Sequence, residues 1–473
     1  MEALQAIVTK VNGLLWDQLL IVVLVGSGIW FTILLRFIQV RGFTKGFKMT
    51  FGGLFAKKGV AGKDGMSSFQ SLATAIAAQV GTGNIAGAAT AIAVGGPGAI
   101  FWMWVAAFFG MATIFAEATM AQKFKIKDSD GAVTGGPVYY IKGAFHNNKF
   151  GKFLAGLFAV LIILALGFMG NAVQSNSIGA AWKSAFGINP LIIGVILAVL
   201  AFMIFAGGVG RIAKVTETLV PFMAGFYIIG SLIILIMNIT HLPGVFEKIV
   251  VLAFDPQAIS GGVLGATMKV AIKKGVARGL FSNEAGMGST PHAHAIAKVK
   301  HPAEQGFVAM MGVFIDTFVI LNLTAFVIII TGVIPRVHTA TSLQGADLSQ
   351  AAFTEGFHKF GAPFIAICLL FFAFSTIVGW YFFGEANVRY LFGKKAVKPY
   401  AVLVCICIIL GTFAATLDGG VQVIWDMADC FNGLMVIPNI LGLLVLSKMI
   451  KSVHDDYYKN FSKGLPSQFE NKF

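Results

Sequence analysis

The sequence predicts an all-α integral membrane protein of about eleven transmembrane helices, and three observations carry that prediction. Of 473 residues, 57% are hydrophobic and only 12% charged, about half the charged share of a soluble domain. Mean hydropathy is +0.82, and so little polar surface cannot cover a water-soluble body. Eleven apolar stretches each approach the roughly 20 residues that cross a bilayer core. The basic residues between those stretches sort to alternate sides, as membrane topology requires.

In chain order the stretches are residues 16–36, 67–94, 98–121, 153–180, 188–207, 212–239, 262–289, 306–334, 362–390, 399–416 and 421–449. The second and seventh are long, Gly-rich and polar in the middle, and the seventh also carries Lys269, Lys273, Lys274 and Arg278. The 56 glycines suit helices whose backbones approach closely in lipid. Cys368, Cys405, Cys407 and Cys430 lie in or beside apolar runs without metal or disulfide spacing and read as small buried hydrophobes. No cleavable signal is expected, because the first apolar run starts near Trp16 without a basic leader.

Placing the N-terminus outside puts 26 Lys and Arg in inside segments and 5 in outside ones, with four more in the seventh span. That asymmetry fixes the expected orientation, with the C-terminal tail, residues 450–473, in the cytoplasm. It also accounts for the net charge of +14. The basic residues are topological anchors beside anionic lipid, and no nucleic-acid partner is expected.

Two spans interrupt the apolar pattern. Gln79, Gly81, Thr82, Gly83 and Asn84 sit at the centre of the second and make a poor helix. Freed backbone groups cost several kcal/mol each in lipid unless something satisfies them. A break is therefore expected to line a site; the plain alternative is a continuous helix that uses Gly for packing. Ser282, Asn283, Glu284, Gly286 and Gly288 repeat the pattern in the seventh span. Each interrupted span opens a set of five, residues 67–239 and 262–449, so the sets enter from opposite sides as inverted repeats. The first span, 16–36, stands outside the repeat. A half-helix that starts after a break offers N–H groups and a positive dipole end to a carboxylate. The half-helix before it offers free carbonyls to a cation or an ammonium. One break can thus hold both ends of a zwitterion and an adjacent metal ion.

At these residues the chain resembles the alanine or glycine:cation symporter family. The run AAQVGTGNIAGAATAIAVGGPGAIFWMWVAAFFGMA matches its signature, as do TGGPVYYI at 134–141, RGLFSNEAGMGS at 278–289 and FSTIVGWYFFGE at 374–385. The resemblance spans essentially the whole chain. It implies Na+-coupled uptake of alanine and glycine on a leucine-transporter-type scaffold of two inverted five-helix repeats, in a bacterial inner membrane. The co-transported ion is then Na+, no organic cofactor is expected, and the protein is expected to function as a monomer. Carried over by position, the amides of Gly81, Thr82 and Gly83 would bind the substrate carboxylate, and the Gln79 carbonyl would face the amine. Carbonyls of Ala77, Val80 and Phe372 with the hydroxyls of Ser375 and Thr376 would ligate Na+; the alternative for the hydroxyls is bonding back to their own helix. Phe281 and Ser282 would line the pocket, with Phe281 as its wall. Asn84 is a possible ligand of a second cation, for which Asp316 and Asn322 are the candidates in the eighth span.

Other polar residues have two readings. Asn171 and Gln174 lie three apart on one face of the fourth span, to orient substrate or to hydrogen-bond between helices. Trp380 and Met287 cap the pocket or simply pack. Glu284 either pairs with Arg278 or serves as a cation or gating group. Glu117, Glu217, Asp316, Glu385, Asp426 and Asp429 read as gating or structural ion pairs. His292, His294 and His301 read as solvated loop histidines. Lys269, Lys273 and Lys274 suit a short outer half-helix whose long side chains snorkel to a vestibule. An ion channel would want a symmetric multichain pore, and no HExxH, GxSxG or P-loop marks an enzyme. The expected function is a symporter importing alanine and glycine by alternating access. The alternatives are another small neutral amino acid or H+ coupling.

Overall fold

The structure, a computed structural model, describes residues 2–52, 65–128, 130–254, 268–333, 343, 345–416 and 420–471. Helices dominate, and one antiparallel hairpin pairs Ile126–Lys127 with Val133–Thr134. Among the described residues seven helices are long and apolar enough to cross a membrane: Gly98–Lys123, Lys149–Phe186, Gly208–Met237, Pro302–Ile330, Gly345–Phe392, Lys394–Ala414 and Val423–Val445. Shorter apolar helices, Leu20–Leu34, Gly83–Gly95 and Pro190–Phe205, fall on the first, second and fifth expected spans. Met268–Asn283 falls on the seventh, whose residues 262–267 lie outside the described residues, as does residue 334 of the eighth. Every expected span is helical over most of its described length.

Local chemistry sets the helix ends. The Ser67 side chain accepts from the Gln70 N–H, and the Gln70 side chain returns the bond to the Ser67 N–H, closing a capping box at the start of the second span. Asn148 and Asn189 cap the fourth and fifth spans by accepting from Gly151 and Leu191 at 2.8 and 2.9 Å. Gly187, at φ +68°, ends the fourth in the left-handed conformation that glycine adopts without strain.

The buried share of each span tells where it sits. The third and eighth bury 67% of their apolar windows, whereas the sixth and tenth bury 39% and 33%. The core is therefore the two interrupted spans with the third and eighth against them. The seventh span lies on the third so closely that a Cβ at Gly275 would stand 2.3 Å from the Ala99 carbonyl. On the rim, Ile192, Val195, Ile196 and Val199 of the fifth span and Ile229, Ile233 and Ile236 of the sixth are exposed, a surface suited to lipid tails.

The first span is longer than expected. Helix begins at Glu2, passes through a π-turn at Leu15–Leu19 and ends at Leu34. Its leading part lies against the eleventh span, where Asn12 donates to the Asp426 carbonyl at 2.7 Å and Trp16 to that of Asp429 at 2.9 Å. At the other end of the molecule the tail folds back. The Asn471 N–H donates to the Lys300 carbonyl at 2.8 Å, and His301 meets Asp456 at 3.2 Å. This packing overturns the expectation of solvated histidines. His292, His294 and His301 are all buried. Their ring nitrogens meet the Ser289 carbonyl and Asn387, Gln305, and Asp456 respectively, which is how buried polar rings are normally satisfied.

Candidate functional site

Both expected breaks are present. In the second span the helix Ser68–Gln79 stops where Val80 turns extended, at φ −82° and ψ 92°, and helix resumes as a π-turn at Gly83–Gly87. In the seventh, Met268–Asn283 ends at a run in which Glu284, Gly286 and Gly288 all have positive φ, at 58°, 86° and 79°. Glycine adopts that conformation freely; Glu284 adopts it against its Cβ, a strain that persists only where surroundings hold it. The breaks touch: a Cβ at Gly83 would lie 3.1 Å from the Ser282 Cα. Across them the Gln79 amide donates to the Asn283 carbonyl at 2.6 Å.

The hydroxyls of the ninth span converge on the first break. Ser375 and Thr376 donate to the Ala77 carbonyl at 3.2 and 3.0 Å, and Thr376 also lies 3.3 Å from the Val80 carbonyl. Both also reach the Phe372 carbonyl one turn back, at 2.8 and 3.0 Å. The two readings of these hydroxyls thus coexist: they bond to their own helix and bridge to the break. Three carbonyls and two hydroxyls make an oxygen-only cluster, the donor set that a hard cation prefers.

The amides of the break face side chains that a ligand could displace. The Gly81 N–H donates to Asn84 Oδ1 at 3.0 Å, and the Thr82 N–H to Gln174 Oε1 at 3.2 Å. Asn171, expected beside Gln174, instead donates to the Gly167 carbonyl of its own helix at 3.0 Å. Gln79 Oε1, Thr82 Oγ1 and Asn171 Oδ1 are buried without a partner among the described residues. Buried acceptors are rarely left so, and the two at the first break, on Gln79 and Thr82, mark where polar groups of a ligand would be satisfied.

Asp316 joins the two breaks. Its Oδ1 accepts from Asn84 at 2.6 Å and from Ser282 at 3.1 Å, and its Oδ2 accepts from Thr317 at 2.9 Å. Asn322, the other candidate in the eighth span, bonds Trp104 at 2.5 Å and lies away from this cluster. Glu117, on the third span, closes the second break. It accepts from the N–H groups of Gly286 and Gly288 at 3.0 and 2.9 Å and from Asn439 at 2.6 Å. Asn439 in turn donates to the Gly286 carbonyl at 2.9 Å and accepts from Tyr140. The second break thus carries a carboxyl group of the protein where the first offers its amides.

Several expectations are corrected here. Glu284 does not pair with Arg278. It accepts from Ser289 and, at 2.6 Å, from Trp380 Nε1, while Arg278 pairs with Asp429 at 3.3 Å. Glu284 lies past the last helical residue, Asn283, and at φ +58° no longer follows the helix that carries Arg278. Glu117 and Asp316, expected in ion pairs, have hydrogen bonds and no ion pair among the described residues. Trp380 is tied to the second break, and its ring would meet a Cβ at Gly170 at 2.6 Å. Met287 is buried, with its N–H on the Glu284 carbonyl at 3.1 Å. Phe281 stands beside Trp425, ring centroids 6.3 Å apart.

A family model described as the sodium:alanine symporter family matches residues 1–471. The chain belongs to that family. It is 41% identical to the sodium/alanine symporter AgcS of Methanococcus maripaludis, covering 94% of this chain and 96% of that one. It is 42% identical to a Bacillus subtilis protein named "Probable sodium/glutamine symporter GlnT", covering 98% and 92%. The fold matches solved transporters of distant sequence. MhsT in complex with L-phenylalanine superposes with a TM-score of 0.55 at 14% identity, over 82% of this chain and 97% of that one. The manganese transporter of Eremococcus coleocola gives 0.53 at 13%, over 85% and 88%. The protein is thus a multi-pass, cation-coupled amino-acid symporter with a leucine-transporter-type fold, and not an enzyme.

Proposed function

We propose that this symporter imports alanine and glycine together with Na+ by alternating access, from a site between its two breaks. The observation that carries the reading is the convergence of the Ala77, Val80 and Phe372 carbonyls with the Ser375 and Thr376 hydroxyls beside the amides of Gly81 and Thr82. Na+ takes the five oxygens. The substrate carboxylate takes the amides of Gly81, Thr82 and Gly83, displacing Gln174 and Asn84. Its ammonium takes the carbonyl at Gln79 and that of Phe281, which walls the pocket with Met287 and Trp380. Ser282, next to Gly83, completes the floor. Asn84, released from Gly81, stays with Asp316 and Ser282, and this carboxyl–amide–hydroxyl set holds a second cation. Glu284 acts as the gating group through Trp380.

The charge sorting supports an N-terminus outside and a C-terminus in the cytoplasm. With that orientation Na+ and substrate enter from the Phe281 side. One charge crossing 100 mV releases about 2.3 kcal/mol, which sustains about fiftyfold accumulation before any Na+ gradient is added.

Two experiments test the reading. In proteoliposomes, unlabelled glycine and alanine should suppress uptake of labelled alanine, and glutamine should not; the relative named for glutamine makes that comparison the informative one. Glutamine competing as well as glycine would refute the small-substrate assignment. Thr376→Val keeps the shape and removes the oxygen. It should raise the Na+ concentration for half-maximal uptake about tenfold, the equivalent of about 1.4 kcal/mol. An unchanged Na+ dependence would remove Thr376 from the cation site.

A further inference from the structure

Beyond the first span the chain turns and runs along the end of the eighth. The helix of the first span ends at Leu34, and Arg36 and Phe37 redirect the backbone at φ +55° and +56°. Helix resumes at Ile38–Arg41 and Phe43–Phe51, with Gly42 between them in the right-handed helical conformation. One side of this helix is clamped to the eighth span. Ile38, Gly42, Gly46 and Thr50 are buried at helical spacing. A Cβ at Gly42 would stand 2.7 Å from the Phe307 ring, and one at Gly46 would stand 2.6 Å from the Phe307 carbonyl. The opposite side is bare among the described residues. Val40 and Phe47, about two turns apart, are exposed, and so is Phe37. They continue the exposed row of Ile29, Trp30 and Ile33 on the first span, so the lipid-facing surface does not stop where that span ends. Arg41 and Lys48 follow Val40 and Phe47 by one residue each, about 100° round the helix, and both are exposed, as is Arg36. None of these three cations forms an ion pair among the described residues. Arg41 stands 5.3 Å over the Tyr458 ring, a contact that orients the guanidinium without neutralising it.

We propose that residues 37–51 form an interfacial helix that docks on anionic phospholipid headgroups. Phe37, Val40 and Phe47 enter the boundary of the acyl chains, and Arg36, Arg41 and Lys48 meet the phosphates beside it. An apolar face next to a basic one is the pattern of helices that lie in a bilayer surface. Continuity with the lipid-facing row of the first span selects the bilayer over a soluble partner. The three unpaired cations select anionic lipid over zwitterionic lipid, whose headgroup brings no net counter-charge. Gly42 and Gly46 hold this helix to Phe307, so bound lipid steadies the near end of the eighth span, the span that carries Asp316. The role is separate from substrate and cation binding, and it stands whichever way the chain faces.

Two measurements on the full chain test it. In detergent, added phosphatidylglycerol should raise the melting temperature of the wild type by several degrees, and neither phosphatidylcholine nor inorganic phosphate should match it. Arg41→Gln combined with Lys48→Gln should raise the phosphatidylglycerol concentration for half of that shift at least tenfold, because each basic residue at an anionic surface is worth about fivefold. In phosphatidylglycerol vesicles, the emission added by Phe47→Trp, taken as the difference from the wild type, should be quenched by lipid brominated near the headgroup end of its chains. Acrylamide in the water should quench it weakly. The proposal is overturned if the double substitution leaves the phosphatidylglycerol titration unchanged, or if phosphatidylcholine or phosphate stabilises the wild type equally. Free access of acrylamide to the introduced indole also overturns it, since the face is then in water. So does protection from both quenchers, which marks a cover of protein, from this chain or from a second copy.

Discussion

Substituting Gly81 by alanine should reduce Na+-driven alanine uptake at least a hundredfold. The added Cβ would fall 2.3 Å from Thr376 Oγ1 and 3.2 Å from Gln174 Oε1. Thr376 cannot move aside cheaply, because its hydroxyl is held among the carbonyls of Ala77, Val80 and Phe372 at 3.0–3.3 Å. The methyl group thus enters the place where cation and carboxylate must meet. It strikes at the functional geometry more than at the bundle, so melting should change by only a few degrees. Full uptake in the Gly81→Ala protein would show that this break does not bind substrate.

Much of this architecture was legible in the sequence, and the reasons are physical. Hydropathy and charge sorting exposed the spans, because a bilayer imposes a length and an orientation on each. The breaks were legible because two glycines and an asparagine in four residues make a poor helix, and lipid forbids an unsatisfied backbone. Ser375 and Thr376 came from resemblance, and their hydroxyls lie within 3.0–3.3 Å of the Ala77 and Val80 carbonyls. What the sequence hid depends on partners remote along the chain. Glu117 is a lone acid in an apolar helix, a signal that an intramembrane carboxyl matters, but nothing local says that its partners are backbone N–H groups at Gly286 and Gly288. Arg278 looked like a partner for Glu284 by proximity in sequence, but the helix ends between them and Arg278 meets Asp429 of the eleventh span. The three histidines looked like loop residues because the packing that buries them comes from the second, fourth and ninth spans and the C-terminal tail.

Removing the carboxyl of Glu117 should be the most destabilising single change around the second break. Glu117→Ala leaves two buried backbone N–H groups and the Asn439 amide without their acceptor. At about 1–3 kcal/mol for each of the three groups, the loss is about 3–9 kcal/mol, against a total stability of the order of 5–15 kcal/mol. The melting temperature in detergent should fall by about 3–9 °C. Glu117→Gln should cost less, because its Oε1 can still accept from Gly288 and Asn439 while its NH2 faces the Gly286 N–H. A Glu117→Ala protein that melts within a degree of the wild type would show that the Gly-rich break holds its shape without this carboxyl.

The central claim is that the oxygens at the first break couple Na+ to movement of a small amino acid. Its most direct test is the accumulation of labelled alanine in proteoliposomes given an inward Na+ gradient, beside vesicles in K+-only buffer at the same membrane potential. The account predicts accumulation above equilibrium with Na+ that collapses when the Na+ gradient is dissipated, and uptake near background in K+. Equal accumulation in the two buffers would contradict it.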